Sequence, residues 1–227
     1  AINGFVAREG RRVGVSTPLN SALATLVESM NQVDAVPGFK RVNSVKHTGV
    51  LTVPSAPAVL SSVAEWKKHR ATLKSSHPGR TIGFVPTMGG LHEGHLALIR
   101  AARAQCDYVV VSIFVNPKQF AANEDLHAYP RTLDADCAKL EGLAHAVLVP
   151  QPDDMYPEDF STSVTLTPFL KGKVEHERRP MFFNGVATVV AKLLSAVSAD
   201  AAFFGQKDGL QCAVVRRLVR DLSLPTD

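Results

Sequence analysis

The chain has 227 residues, 45% of them hydrophobic, with 25 Lys and Arg against 21 Asp and Glu. This composition is typical of a globular protein and excludes a disordered chain. Residues 1–57 hold 6 basic and 3 acidic residues, whereas the rest of the chain holds 19 and 18. The body of the chain therefore lacks the basic clustering of a nucleic-acid-binding protein, and we expect no nucleic-acid partner.

The cysteines and the apolar segments indicate a cellular compartment. Cys106, Cys137 and Cys212 are odd in number and show no metal-ligand spacing, which fits a reducing cytosol. The first residues, "AINGFVAREGRR", lack the apolar region of a signal peptide. The longest apolar run, "VVVSIFV", is too short to cross a bilayer. We expect a cytoplasmic protein that does not bind membranes.

The predicted elements alternate along most of the chain. We predict a helical segment with a break at residues 1–30 and a linker of scattered Pro, Gly, Ser and Lys at residues 31–57. The domain at 58–227 then carries apolar β-branched runs between amphipathic helices. This pattern predicts an α/β fold with a parallel sheet covered on both faces. The helices are predicted at 61–73, 93–106, 132–143, 184–197 and 210–222, and the strands at 80–87, 108–115, 146–150 and 201–205.

A glycine- and histidine-containing loop, "PTMGGLHEGH", joins a predicted strand to the helix after it. Ligands of parallel α/β sheets bind beyond the carboxyl ends of strands. Gly89 and Gly90 let the backbone pass close to a ligand, and the helix that begins near Glu93 offers free N–H groups to an anion. His92 and His95 are three residues apart, so they share a helical face, and each can donate a ring N–H to phosphate oxygens.

Other nucleotide and metal motifs do not fit this loop. The sequence lacks the G-K-[ST] of a P-loop, and its glycines do not form G-x-G-x-x-G. The zinc motif H-E-x-x-H places its histidines at i and i+4, whereas "HEGH" places them at i and i+3. The pattern assigns no metal-binding residue.

Three further polar stretches follow predicted strands or precede helices. "SIFVNPKQF" ends a strand with Asn116 and Gln119, whose amides can bind a hydroxyl- or carboxylate-bearing substrate. "FFGQKDGLQ" places Lys207 at a helix start, where it can reach a nucleotide phosphate. Arg178 and Arg179 precede another helix. Taken alone, the first stretch is better explained by a polar loop and the third by a solvated arginine pair, whereas a surface turn explains the second equally well.

Together and in this order, the stretches resemble the pantothenate synthetase family, the pantoate–β-alanine ligases. The resemblance covers about residue 58 to 227 and rests on "VPTMGGLHEGH", "SIFVNPKQF", "YPRTLDAD", "GVATVVAKL" and "FFGQKD". It implies a Rossmann-like fold of the HxGH nucleotidyltransferase type. It also implies that pantoate is adenylated by ATP with Mg²⁺, that β-alanine then displaces AMP, and that the protein is a homodimer.

The resemblance also implies a role for each matching residue. His95 would be the family's proton donor and His92 its catalytic partner on the phosphates. Gln119 and Gln211 would bind pantoate, with Asn116 also in the substrate site. ATP would contact Met88, Gly89, Gly90, Leu91, His92, Glu93, Gly94 and His95 in the first loop, and Gly205, Gln206, Lys207 and Asp208 in the second.

Some positions depart from the family pattern. Met181 and Phe182 replace a glycine-histidine pair, and Gln206 stands where Glu is common. In the family another strand, a serine-serine-arginine phosphate loop and a small C-terminal domain follow, whereas this sequence stops at "RDLSLPTD". We therefore expect a C-terminally truncated ligase domain. Two alternatives are an inactive fragment that only binds nucleotide, and another HxGH adenylyltransferase, against which Gln119 and Gln211 argue.

The first 30 residues have a resemblance of their own. "INGFVAREGRRVGVSTPLNSALATLV" is similar to the last helices of ketopantoate reductase, the NADPH-dependent enzyme that makes pantoate. The resemblance implies a fusion of two enzymes that act in succession. An unrelated helical extension is the alternative.

Overall fold

The structure, a computed structural model, describes residues 51–120, 126, 128–173, 177, 179, 181–207 and 209–227. They fall within one structural unit, His47–Asp227. The predicted helical segment 1–30 and residues 31–50 of the predicted linker lie outside the described residues. The end of that linker, residues 51–57, has no regular secondary structure, and Leu51 packs against the core of the domain.

The longer elements of the described residues alternate as predicted, whereas the short helices at Pro152–Met155 and Thr167–Leu170 were not predicted. The strands are β1 (Ala58–Leu60), β2 (Ile82–Thr87), β3 (Tyr108–Ile113), β4 (Ala146–Leu148) and β5 (Ala201–Ala202). The helices are α1 (Val63–Ser76), α2 (Glu93–Gln105), α3 (Leu133–Leu140), α4 (Pro152–Met155), α5 (Thr167–Leu170), α6 (Phe182–Val197) and α7 (Gly209–Asp221), with a 3₁₀ turn at Pro117–Gln119.

The strands form one parallel sheet in the order β1-β4-β3-β2-β5. This confirms the predicted parallel α/β architecture. Alternate residues of β3 enter two separate cores: Val110 packs with α1, α6 and α7, and Val109 and Val111 pack with α2 and α3. Because both faces are covered, the central strands are apolar without interruption, as parallel sheets require.

The N-terminal turn of helix α1 is held by a side-chain cap and by a buried tryptophan. Ser62 caps it by accepting the Glu65 N–H at 3.1 Å, and the Glu65 carboxylate accepts the Ser61 N–H at 2.7 Å. One turn further, the fully buried Trp66 donates its indole N–H to the Val197 carbonyl at 3.2 Å. Trp66 therefore ties α1 to the C-terminal end of α6.

The order in which strands are added to the sheet changes direction between β2 and β5. From β2 the chain enters α2 on one face of the sheet, and from β5 it enters α7 on the other face. Such a topological switch point opens a crevice at the carboxyl ends of the two strands, where α/β proteins bind ligands. The two loops that resemble an ATP site follow β2 and β5, so the fold brings them to the same crevice.

Short edge elements are where the sequence prediction differs from the structure. Strand β1 was not predicted, because three residues carry too little pattern to mark a strand. Strand β5 was predicted at 201–205 but ends at Ala202. Phe203 donates one more hydrogen bond, to the Phe84 carbonyl at 2.9 Å, and the chain then leaves the sheet. In the part of the chain that is described, no helix is both long and apolar enough to cross a membrane.

A buried group of aromatic and histidine side chains lies at the amino-terminal edge of the sheet. The ring of His145 stacks on Tyr108 with centroids 4.5 Å apart, and its Nδ1 accepts the Val109 N–H at 2.9 Å. On the other side, His69 Nε2 lies 2.7 Å from the Tyr108 hydroxyl. Burial lowers the pKa of both histidines, and for His145 nearby Arg103 adds to the lowering while a contact with the Leu51 carbonyl opposes it.

These histidines predict acid sensitivity of the fold. In the folded protein their pKa values lie below the ordinary 6.5, so below about pH 6.5 the unfolded chain binds more protons. The free energy of unfolding should therefore be highest at neutral pH and fall as the pH drops below about 6.5. His145→Asn, which keeps an acceptor for Val109, should flatten this fall. Urea titrations at a series of pH values measure it, and equal slopes for both proteins would contradict the prediction.

Candidate active site

The loop after β2 takes a backbone path that needs glycine. Gly89 and Gly90 have φ angles of +84° and +61°, a region that other residues rarely adopt. A Cβ on Gly89 would also lie 3.1 Å from Ile113 Cγ2 and 3.2 Å from Asp136 Oδ2. The two glycines therefore let the chain turn sharply between β2 and α2.

His92 and His95 close the N-terminus of α2 with their own side chains. His92 is the N-cap residue, and its Nδ1 accepts the Gly94 N–H at 3.0 Å. In return, His95 Nδ1 accepts the His92 N–H at 3.4 Å, and the two rings stack with centroids 4.1 Å apart. The arrangement is a reciprocal capping box built from histidines.

This geometry fixes the tautomer of both rings. An Nδ1 that accepts a hydrogen bond leaves the proton of a neutral imidazole on Nε2. Burial lowers the pKa of His95 to about 4, with the neighbouring His92 adding to the lowering and Asp136 opposing it. Near neutral pH the ring of His95 is therefore uncharged and presents one Nε2–H donor.

The capping box changes one expectation about anion binding. The sequence predicted free backbone N–H groups at the start of α2, yet two of them are engaged within the turn. The Gly94 N–H donates to His92 Nδ1, and the His95 N–H donates to the His92 carbonyl at 2.9 Å. The backbone part of the prediction is thus wrong for these two groups, because the imidazole and the carbonyl of His92 accept their hydrogen bonds.

Asp136 of helix α3 holds the glycine loop, and sequence reasoning assigned it no role. The fully buried carboxylate accepts the Gly90 N–H at 2.9 Å, the Leu91 N–H at 2.7 Å and the Thr132 hydroxyl at 3.1 Å. One signal existed: position 136 lies four residues before the buried Leu140, so a carboxylate interrupts the apolar face of α3.

Gln119 stands next to the first loop. Its Nε2 donates to Met88 Sδ at 3.0 Å, and its Oε1 accepts from Asn116 Nδ2 at 3.0 Å. Asn116 is 1% exposed, and its amide also binds the Gly185 carbonyl and the Tyr156 hydroxyl. These contacts suit a residue that orients Gln119. A direct contact of Asn116 with substrate remains a prediction.

Gly185, in the first turn of α6, is a second residue whose importance the sequence reasoning missed. A Cβ at this position would lie 2.2 Å from the Lys118 carbonyl oxygen and 2.9 Å from the Gln119 nitrogen. Helix α6 therefore packs directly on the backbone that carries Gln119. A glycine inside an amphipathic helix pattern is the signal for such a close approach.

The second loop begins where β5 leaves the sheet. Gly205, Gln206 and Lys207 are exposed, Gln211 in α7 is half-buried, and Asp208 lies outside the described residues. A Cβ on Gly205 would lie 4.0 Å from Leu98 Cδ1, so this loop lies beside α2, the helix that follows the first loop. Glu93, predicted to contact ATP, is exposed and forms an ion pair with Arg100 along α2.

Comparison with known proteins agrees with this geometry. The family model described as pantoate-beta-alanine ligase matches residues 58–227. The chain belongs to the pantoate–β-alanine ligase family. The match spans the parallel sheet and both loops at its switch point.

Relatives of the pantoate–β-alanine ligase family are similar in sequence and in structure. A pantothenate synthetase from Acidobacterium capsulatum is 58% identical over 144 residues, which cover 63% of this chain and 48% of that protein. One from Maricaulis maris is 50% identical over 169 residues, covering 74% and 55%. The chain thus spans about half the length of the curated relatives it matches.

Two solved structures of this family share the fold. Pantothenate synthetase from Thermus thermophilus is 46% identical with a TM-score of 0.68, covering 75% of this chain and 59% of that one. Pantoate-beta-alanine ligase from Francisella tularensis, complexed with beta-gamma ATP and beta-alanine, is 34% identical with a TM-score of 0.71, covering 76% and 65%. The Rossmann-like fold expected for the ligase family is thereby confirmed.

One departure from the ligase pattern has a structural environment of its own. The Phe182 ring, at a position where the family pattern has histidine, lies under the guanidinium of Arg179, with Cζ 3.9 Å from the ring centroid. An Arg–aromatic contact of this kind is favourable when partly buried. Phe182 therefore packs against the arginine beside Gln119, whose backbone carbonyl lies 3.5 Å from Arg179 Nη2.

Proposed function

We propose that the protein condenses pantoate with β-alanine to pantothenate at the expense of ATP, through a pantoyl-adenylate intermediate. The observation that carries the proposal is the pair of Nε2–H donors of His92 and His95 at the switch point, with Gln119 in contact with Met88 beside them. Membership of the pantoate–β-alanine ligase family and the Francisella tularensis complex with beta-gamma ATP and beta-alanine support it.

The first step requires charge stabilisation rather than covalent help from the protein. A pantoate carboxylate oxygen attacks the α-phosphorus of ATP, and the bond to pyrophosphate breaks. Negative charge accumulates on the phosphate oxygens, where the Nε2–H groups of His92 and His95 can donate hydrogen bonds. We propose that the predicted ATP contacts from Met88 to His95 and from Gly205 to Asp208 hold the nucleotide, with Lys207 on its phosphates.

The second step transfers the acyl group. The amine of β-alanine attacks the acyl carbonyl, AMP leaves with the bridging oxygen, and the amine loses a proton. We propose that Gln119 and Gln211 bind the pantoate part through neutral amides, and that Asn116 orients Gln119. A neutral amide can pair with the hydroxyls and with the carboxylate of pantoate without adding charge to the site.

Magnesium fits this site as part of the co-substrate. Within the described residues there is no group of three or more His, Cys, Asp or Glu side chains able to hold a metal ion. Mg²⁺ commonly binds to substrate phosphates and water with few protein ligands. We therefore propose that it arrives as Mg·ATP. We also propose a cytoplasmic homodimer, on the family resemblance and the reduced cysteines.

The test of the proposed function is isotopic. Pantoate labelled with ¹⁸O in its carboxylate is incubated with Mg·ATP, followed by β-alanine, and AMP is examined by mass spectrometry. We expect pantoate-dependent pyrophosphate release and one ¹⁸O atom in AMP. Pyrophosphate release with phosphopantetheine or nicotinamide mononucleotide in place of pantoate would identify another HxGH adenylyltransferase. Binding of Mg·ATP with no pyrophosphate release would support the nucleotide-binding alternative.

Replacing Gln119 should separate the two substrates. We expect Gln119→Ala to weaken pantoate binding by about 1.5–3 kcal/mol, because a hydrogen bond to a charged group is lost. ATP binding should change much less. Calorimetric titration with each ligand measures both affinities. Gln105→Ala, the same substitution on the exposed end of α2, is the control. Equal losses of pantoate and ATP affinity would mean that Gln119 shapes the pocket generally.

A further inference from the structure

The short helix α3 binds the peptide groups that lead into His92. Asp136 accepts the N–H groups of Gly90 and Leu91, and Lys139 Nζ donates to the Leu91 carbonyl at 2.7 Å. Asp136 and Lys139 are three residues apart and so lie on one face of α3. Both ends of Leu91, the residue just before the N-cap of α2, are therefore bonded to α3.

The side chain of Leu91 adds a third constraint. It is 2% exposed and packs in the same core as Ile99 of α2 and Leu140 of α3. The next residue, His92, has its backbone N–H within reach of His95 Nδ1. A shift of Leu91 would therefore move the N-cap, the stacking of the two rings and the direction of both Nε2–H donors.

We propose that Asp136 is a positioning residue of the nucleotide site, which acts through Gly90 and Leu91 to hold His92 and His95. Among side chains, an ionised carboxylate suits this place because its two oxygens can accept hydrogen bonds from two neighbouring backbone N–H groups and a hydroxyl, and it has no donor group that would need a partner. The proposal rests on the proposed function for the role of the two histidines. The loop geometry that it concerns is measurable without nucleotide.

A carboxylate such as that of Asp136 is unusual so close to a proposed phosphate-binding site. A negative charge there opposes nucleotide binding. The carboxylate of Asp136, however, accepts three hydrogen bonds within the protein, and the residue has no exposed surface. Amide donors that could have faced the phosphates are instead turned toward Asp136. The site therefore uses imidazole donors held at fixed positions, rather than a flexible cradle of backbone N–H groups.

The test follows the imidazole of His95 by NMR in Asp136→Asn. In the wild-type protein burial keeps the pKa of His95 at about 4. If Asp136 holds the loop, its replacement frees the ring to solvent, and the pKa rises toward the ordinary value of about 6.5. If the loop stays in place, loss of the negative charge alone leaves the pKa at about 4 or below. That second result would overturn the proposal.

The matched control is Asp134→Asn, which removes an exposed carboxylate from the same helix. It should leave the pKa of His95 unchanged. A measurement on the wild-type protein covers the case in which Asp136→Asn does not fold. Hydrogen exchange at the Gly90 and Leu91 amides should be slowed about tenfold or more relative to an unbonded amide. Unprotected exchange at both amides would equally overturn the proposal.

The outcome for the proposed function is separate. Titration with Mg·ATP tests nucleotide binding in the wild-type protein and in Asp136→Asn. A raised His95 pKa in the variant, together with no nucleotide binding by either protein, would uphold the positioning role and refute the proposed function. A raised pKa with weakened binding in the variant alone would support both.

Discussion

Substituting alanine for Gly185 should lower the free energy of unfolding by about 1–3 kcal/mol and remove most of the pantoate affinity. The added Cβ would meet the Lys118 carbonyl oxygen at 2.2 Å and its carbon at 2.6 Å. Both are backbone atoms, which cannot rotate away. Either α6 or the turn at Pro117–Gln119 must shift, and in both cases Gln119 moves from its place beside Met88.

Denaturation by urea and calorimetric titration with pantoate measure the two effects of Gly185→Ala. Gly209→Ala is the matched control, because a Cβ at the first residue of α7 would meet no atom within 4 Å. That variant should be as stable as the parent or slightly more so, since alanine restricts the unfolded chain. Unchanged pantoate affinity in Gly185→Ala would show that the close packing of α6 does not position Gln119.

Replacing His95 with alanine should slow pyrophosphate release by about 10²–10³, the usual effect of losing one preorganised donor. The fold should survive, because His95 is half-buried at a helix end and its backbone bond to the His92 carbonyl remains. His95→Gln, which restores a side-chain N–H, should recover part of the rate.

Single-turnover release of pyrophosphate from pantoate and Mg·ATP measures the effect of His95→Ala, and circular dichroism reports the fold. The control is His77→Ala, the same change in an exposed histidine at the end of α1. Near-normal release by His95→Ala would remove this residue from the mechanism.

The sequence was most informative where a local pattern had one physical explanation. The run "YVVVSIFV" predicted a strand buried on both faces, and the structure has β3 with Val109 and Val110 in opposite cores. The glycine pair at 89 and 90 was likewise a local signal of an unusual backbone path, and both residues have positive φ angles. Such features depend on a few neighbouring residues, so they can be read before the fold is known.

Contacts between distant residues were not predictable in this way. Asp136 and Leu91 are 45 positions apart, and no spacing rule links a helix carboxylate to a loop N–H. Gly185 likewise packs on Lys118 across the molecule. The prediction of free N–H groups at the start of α2 was wrong for a related reason. Helix geometry identifies the donors, but the side-chain rotamers of His92 and His95 decide whether a ring nitrogen accepts their hydrogen bonds.

The histidine capping box places helix stability and chemistry in competition at one position. Serine, aspartate and asparagine are the strongest N-cap residues, and a change of His92 to any of them would suit the helix well. The same change would remove one of the two Nε2–H donors on which the proposed function rests. Under that function, selection for thermal stability alone would favour variants that lose activity at residue 92, whereas histidine keeps the donor at the cost of a weaker helix end.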